Sequence, residues 1–230
     1  MNEDSIKNKM SESFILAILL TFIGGFLDSY SYYCRDEVFA NAQTGNIVKI
    51  GMSLASGEYI KVFRYFIPII AFSFGILISI YIKNNNRTNI YWRKIILLSE
   101  GIIIVIISLI PIETYLNIIS NVMISFLCAM QTESFKKILG KPYSSTMCTG
   151  NLRKTIEYLY NILSRNDIES LKNIKYYIYL IIFFILGAAI GRIGSYYFLE
   201  RAILINLIPL FFSVVIINSN TQILESKFTL

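Results

Sequence analysis

The sequence predicts an all-α fold, a polytopic bundle of transmembrane helices built from two inverted repeats. Three observations carry this. Hydrophobic residues make up 55% of the 230-residue chain and charged residues only 16%, against about a quarter charged in a soluble domain. Several apolar runs approach the roughly 20 residues needed to cross a bilayer. The segment Thr44-Gly45-Asn46-Ile47-Val48-Lys49 also returns as Thr149-Gly150-Asn151-Leu152-Arg153-Lys154 at an offset of 105 residues, with Asp28 and Glu133 each 16 residues ahead of their copy.

The elements follow in order. Residues 1–12 mix acidic and basic side chains, and no small-residue cleavage site follows a short apolar core. The first apolar run is therefore expected to be a retained helix and not a signal peptide. Helix one is expected over 13–33, interrupted by Gly24-Gly25 and Asp28, with a polar, Gly-containing segment over 36–57. Helices two, three and four are expected over 63–82, 94–111 and 114–135. A second polar segment covers 143–163, and helices five and six cover 175–197 and 199–217. Repeat one then runs over about 13–112 and repeat two over about 114–218, within a single membrane domain of 1–230.

Charge orients the bundle. The link 83–94 carries Lys83, Arg87, Arg93 and Lys94, whereas the turn Pro111-Ile112-Glu113-Thr114 has no basic residue. By the positive-inside rule 83–94 is cytoplasmic and 111–114 is not. If both polar segments dip into the membrane and return, there are six crossings and both termini are cytoplasmic. Only Arg35, Lys49, Lys61, Arg64, Arg192 and Arg201 then lie on the far side. If both segments cross, there are eight crossings, and Lys49, Arg153 and Lys154 fall inside them. Each buried charge costs roughly 2.5–3.5 kcal/mol on insertion scales, so six crossings with two broken or re-entrant segments is the better reading. Three crossings per repeat make the second copy inverted relative to the first, an architecture shared by secondary transporters.

The polar breaks supply the candidate site. Gly45 and Gly150 relax the backbone where a helix starts. Thr44 and Thr149, or Asn46 and Asn151, are expected as caps of the helix that follows. Free N–H groups there favour an anion or a polar ligand group, with Lys49 and Lys154 one turn further on. Asn41 and Gln43, and Ser144, Ser145 and Thr146, make both segments unusually polar. An intramembrane carboxylate is a functional candidate by default. Asp28 and Glu133 could bind a cation, carry a coupling proton, or pair with Lys49, Lys154 or Arg35. Glu100 is a third candidate buried charge, with Asn206 near the corresponding place in helix six. Gly75-x-x-x-Ser79 and Gly187-x-x-x-Gly191 are read as helix-packing faces. The tyrosines near span ends, Tyr30, Tyr32, Tyr33 and Tyr177 among them, and Trp92 are read as an aromatic belt.

Several function classes drop out. The chain has no histidine, which removes the commonest general base and metal ligand. It has no Walker A loop, nucleophile elbow, Cys-x-x-Cys pair or His-Glu-x-x-His. No catalytic residue, metal site or cofactor is assigned, and the protein is not expected to be an enzyme. Cys34, Cys128 and Cys148 are widely spaced and odd in number, hence packing residues and not a disulfide framework. The net charge of +6 lies between the spans and forms no compact patch, so a nucleic-acid partner is not expected.

Gly-Gly-Phe-Leu-Asp-Ser at 24–29, Thr-Gly-Asn at 44–46 with Lys49 and Gly51, and Thr-Met-Cys-Thr-Gly-Asn-Leu-Arg-Lys at 146–154 together resemble the YoaK-like family of bacterial integral membrane proteins. The resemblance covers about 13–217. It implies a multi-pass protein of the bacterial inner membrane and no particular activity. The expected function is a small transporter or channel-like protein for a small polar or anionic solute. The alternative is a non-transporting scaffold, sensor or partner subunit. The lipid bilayer is the expected partner, and homo-oligomeric assembly is left open.

Overall fold

The computed structural model describes residues 13–85, 89–138, 140–165, 167 and 169–218. Residues 1–12 and Arg87, used above for processing and orientation, lie outside them. Ser13 starts α1 (Phe14–Cys34) by accepting a hydrogen bond from the Leu16 N–H, the cap that a first turn needs. Then come α2 (Gln43–Ala55), α3 (Tyr59–Asn85), α4 (Asn89–Ser108) and α5 (Thr114–Ser134). A two-residue antiparallel pairing follows, Lys137–Ile138 (β1) with Lys141–Pro142 (β2). The chain ends in α6 (Cys148–Arg165), α7 (Glu169–Phe198), a 3-10 helix (Leu199–Asn206) and α8 (Leu207–Asn218). The all-α expectation stands. Four stretches are long and apolar enough to cross a membrane: Phe14–Cys34, Tyr59–Asn85, Thr114–Ser134 and Ser170–Asn218.

Helix ends depart from the sequence reading for a physical reason. Apolar runs stop at the first charges, but Lys and Arg are good helix formers. So α3 starts before Lys61 and Arg64, and α7 starts before Lys172 and Lys175. Expected helix six is interrupted instead. Leu199 takes a positive φ of 50°, and the chain runs as a 3-10 helix to Asn206 before the α-helix resumes.

The two central helices are α1 and α5. Both bury most of their surface, whereas α3 and the run 170–218 expose large apolar side chains such as Phe63, Phe74, Ile185 and Phe211. They lie antiparallel, as their hydrogen bonds require. Asn121, early in α5, donates to the Arg35 carbonyl just past the end of α1, while Gln131, late in α5, donates to Leu20 near its start. Their surroundings match. Helix α1 packs most extensively against α7 and also against α8; α5 packs most extensively against α3 and also against α4. Helix α2 rests on α3, and α6 on α7.

The small-residue faces make these contacts close. A Cβ added at Gly187 would lie 2.1 Å from the Phe22 carbonyl oxygen, and one at Gly75 would lie 2.6 Å from that of Phe126. Only glycine lets the backbones meet at that separation. The belt reading fails for some aromatics. Tyr30, Trp92 and Tyr177 are buried, because the helix ends that carry them are covered by neighbouring elements.

Candidate functional site

After α1 the chain turns through Asp36 and Glu37, both with positive φ, and runs back along the bundle. Ala40 accepts from Ser125 Oγ in the middle of α5 at 2.6 Å. Asn41 Nδ2 donates to the Gly24 carbonyl at 3.1 Å. Gly24 lies ten residues before the end of α1, or roughly 15 Å at 1.5 Å per residue. Helix α2 starts there, and Thr44 and Gly45 occupy its first turn. Neither Thr44 nor Asn46 caps it: the N-cap is Ala42, with no side-chain hydrogen bond. Asn46 is buried and reaches back instead, its Nδ2 donating to Gln43 Oε1 at 2.9 Å and to the Phe39 carbonyl at 3.2 Å.

The second segment does the same from α5. After the β1–β2 hairpin the chain returns to the level of Gln131, whose Nε2 donates to Ser145 Oγ at 2.9 Å and to the Leu20 carbonyl at 3.1 Å. Thr132 and Thr146 share a hydrogen bond of 3.0 Å. Asn151, also buried, donates from Nδ2 to the Ser144 carbonyl at 2.8 Å and accepts from the Ser144 N–H at 3.2 Å. Both asparagines therefore clasp the carbonyl seven residues upstream. The expectation that they cap the helix by the usual short reach is corrected to this longer one. Asn46→Ala and Asn151→Ala are each expected to lower stability by about 1–3 kcal/mol, with the larger loss at Asn151. Chemical unfolding of the detergent-solubilised protein measures this.

The two segments converge on α1 at Gly24 and Asp28. The Ser145 carbonyl oxygen lies 2.4 Å from where a Gly24 Cβ would sit, on the helix that also receives Asn41. Asp28 lies beside the Asn41 amide and the backbone N–H groups of Asn41 and Ala42, which lead into α2. Cys128 on α5 and Cys148 at the start of α6 are both close enough to feel its charge. Asp28 thus lies near the N-terminal ends of α2 and α6, where helix dipoles favour negative charge.

The other expected site residues lie elsewhere. Glu133 pairs with Lys136 at 2.5 Å and lines a cavity of about 240 Å³ with Lys83, Trp92, Arg93, Ser134 and Lys137. Lys49 donates to the Glu37 carbonyl and sits among the rings of Tyr32, Phe39 and Tyr65. Lys154 pairs with Glu157 at 2.6 Å, and its hydrogen bond holds the Glu157 carboxyl below the usual carboxylate range. Thr44, Thr149 and Gly150 are exposed, and Gly45 is half-buried against Phe39. None of the three cations proposed as partners for Asp28 pairs with it: Arg35 is bound at the end of α4. Glu100 is fully buried, with neither carboxyl oxygen bonded, and Asn206 likewise has no partner for its side-chain amide. The residue missed is Gln131, which holds the second segment to α1 through Ser145 and the Leu20 carbonyl. Among the described residues no group of three or more His, Cys, Asp or Glu could hold a metal ion, and the three cysteines are free.

An all-helical bundle with four apolar stretches of spanning length, folding polar segments back onto its central helices, has the build of an integral membrane protein. The model of the family described as "Protein of unknown function (DUF1275)" matches residues 16–216, and the chain belongs to that family. No curated protein and no solved structure matches it.

Proposed function

We propose that this is a small multi-pass transporter or channel-like protein of the bacterial inner membrane that handles a small polar solute at Asp28. The observation that carries the proposal is the convergence at that carboxyl. It lies deep in the central helix, and two broken segments entering from opposite ends of the antiparallel pair α1 and α5 start their helices beside it. Such segments are tolerated at membrane depth where protein buries them or a watery cavity lines them, and transporters place substrate sites there.

Two repeats of opposite orientation, with three crossings each, fit the packing. Exchanging α1 for α5 exchanges α7 for α3 and α8 for α4, and the Asn46 and Asn151 clasps fall on the same 105-residue offset. Cytoplasmic placement of 83–94 is supported by Lys83 and Arg93 lining one cavity with Lys136 and Lys137. That arrangement also favours cytoplasmic termini. Asp28 already occupies the helix starts that an anionic solute would use, so a neutral polar solute, or one arriving with a cation, fits better. The rival reading, a non-transporting scaffold, sensor or partner subunit, is favoured by the direct packing of Asn41 and Ser145 onto Gly24.

Currents on solid-supported membranes after concentration jumps of sugars, amino acids and small inorganic anions separate the two. Asp28→Asn is expected to cut the current at least about tenfold, the loss of one charged hydrogen-bonding interaction, while Glu133→Gln leaves it close to wild type. Cysteines placed at 41 and 145 in a Cys-free background should react with charged thiol reagents. Wild-type current in Asp28→Asn, or no reaction at both cysteines, would sink the transporter reading.

A further inference from the structure

We infer that the cavity between the ends of α3 and α5 and the start of α4 is a binding site for the phosphate headgroup of an anionic phospholipid. The inference rests on the membrane reading and not on transport. Lys83 on α3, Arg93 on α4, and Lys136 and Lys137 just past α5 line this space of about 240 Å³. Among the described residues Glu133 is the one carboxylate of the lining, and Lys136 pairs with it at 2.5 Å. Four cations against one carboxylate leave an excess of three positive charges around a single space.

Donors dominate this lining. Arg93 is held in place: its Nε donates to the Ser134 carbonyl at 3.1 Å, and its guanidinium stands over the rings of Trp92 and Phe135. Ser134 Oγ is engaged with the Met130 carbonyl at 2.6 Å. Trp92 is 2% exposed, and its indole N–H has no acceptor among the described residues. Ammonium, guanidinium and indole groups donate and do not accept, so the space calls for a negatively charged ligand rich in acceptor oxygens. A phosphate group is both, and arginine and lysine are the side chains that bind it.

The surroundings select a lipid as the carrier of that phosphate. The volume lies below the roughly 300–1,000 Å³ of pockets for drug-sized molecules, so it takes a headgroup and leaves the rest of the ligand outside. On the stretch of α3 that leads up to Lys83, Phe74, Leu77, Ile78 and Tyr81 are exposed, and their spacing puts them on one face of the helix. Acyl chains would lie against that face with the headgroup in the cavity. A free phosphate ion has no use for it. Basic pockets between transmembrane helices on the cytoplasmic side bind anionic headgroups, and the orientation proposed for 83–94 puts this cavity on that side.

Trp92 is the only tryptophan of the chain, so tryptophan fluorescence reports on this cavity. The detergent-solubilised full-length protein is titrated at constant ionic strength with short-chain phosphatidylglycerol, with phosphatidylcholine of the same chain length, and with sodium phosphate. Phosphatidylglycerol is expected to give a saturable change, with the other two at least about tenfold weaker. Lys83→Gln combined with Lys137→Gln should weaken the phosphatidylglycerol response at least about tenfold, since each basic group facing an anionic lipid contributes about fivefold. Both lysines are exposed, so the fold is kept. Lys172→Gln, which removes an exposed charge on α7, should bind as wild type. No response to phosphatidylglycerol, or an unchanged response in the double variant, overturns the site. Equal responses to the two lipids would show apolar contact alone, and an equal or stronger response to sodium phosphate would show a free-anion site; either overturns the lipid assignment. Absence of a solute current leaves this titration unaffected, so the two proposals fail separately.

Discussion

Arg35→Met is expected to destabilise the protein by about 3–5 kcal/mol, the cost of removing one member of a buried charged network. Arg35 is fully buried. Its Nε and Nη2 donate to the Tyr30 hydroxyl at 3.2 and 2.9 Å. Nη1 donates to the Pro111 carbonyl at 2.9 Å and to Asn117 Oδ1 at 3.0 Å. Nη2 also reaches the carbonyls of Ile107 at 3.3 Å and Ile110 at 2.8 Å. The Ile107 carbonyl lies in the last turn of α4 and the Ile110 and Pro111 carbonyls just past it, where the helix dipole is negative. One guanidinium therefore ties the end of α1 to the end of α4 and the start of α5. Methionine fills the volume but leaves the Ile110 carbonyl and Asn117 Oδ1 without a donor, while the Ile107 and Pro111 carbonyls keep only their backbone bonds from Ile110 and Glu113. Lysine keeps the charge but lacks the planar fork, so Arg35→Lys should recover less than half of the loss. Urea unfolding of both variants in detergent measures it; a methionine variant within about 1 kcal/mol of wild type would show that water replaces the guanidinium.

Arg35 also marks where the sequence stops being legible. Read alone, it is one of six cations on the far side of the membrane. Nothing local shows that three carbonyls more than 70 positions away converge on it, because that depends on where α4 ends in space. The helices themselves were legible, since apolar runs of bilayer length are a property of composition. Their ends were less so, because Lys and Arg continue a helix that hydropathy has stopped counting.

The repeated Thr-Gly-Asn was legible as a break but not as a mechanism. The asparagines hold the loop that precedes each helix, and the threonines face outward. Asp28 stands next to its polar segment because Gly24 lets Asn41 and Ser145 approach the α1 backbone. Glu133 keeps the same sequence spacing, yet its partner is Lys136, three residues on. On α5 it is Gln131 and Thr132 that meet the second segment. Equal spacing along the chain gave neither equal depth nor equal facing: Asp28 lies six residues before the end of α1 and Glu133 one residue before the end of α5, and each helix residue is a rotation of about 100°.

Gly25→Val and Gly187→Val are each expected to cost at least about 3 kcal/mol, the upper range for overpacking a well-filled core. A Cβ at Gly25 would lie 2.1 Å from the Phe184 carbonyl oxygen, and one at Gly187 would lie 2.1 Å from that of Phe22. Both obstacles are backbone atoms, so no rotamer change relieves them; α1 and α7 must move apart. Their contact is the most extensive in the molecule, and α1 also carries Gly24 and Asp28. Separation would therefore shift Asp28 relative to Asn41 and Gln131 as well as loosen the bundle. Gly51→Ala and Gly150→Ala are the controls, since an added Cβ at either meets nothing within 4 Å. In an unfolding series these two should match wild type or exceed it slightly, by the helix propensity of alanine over glycine. If Gly187→Val unfolds with the controls, α7 does not pack on α1 as described. The convergence at Asp28 would then lose its structural support, because the face of α1 opposite the two polar segments would no longer be held in place.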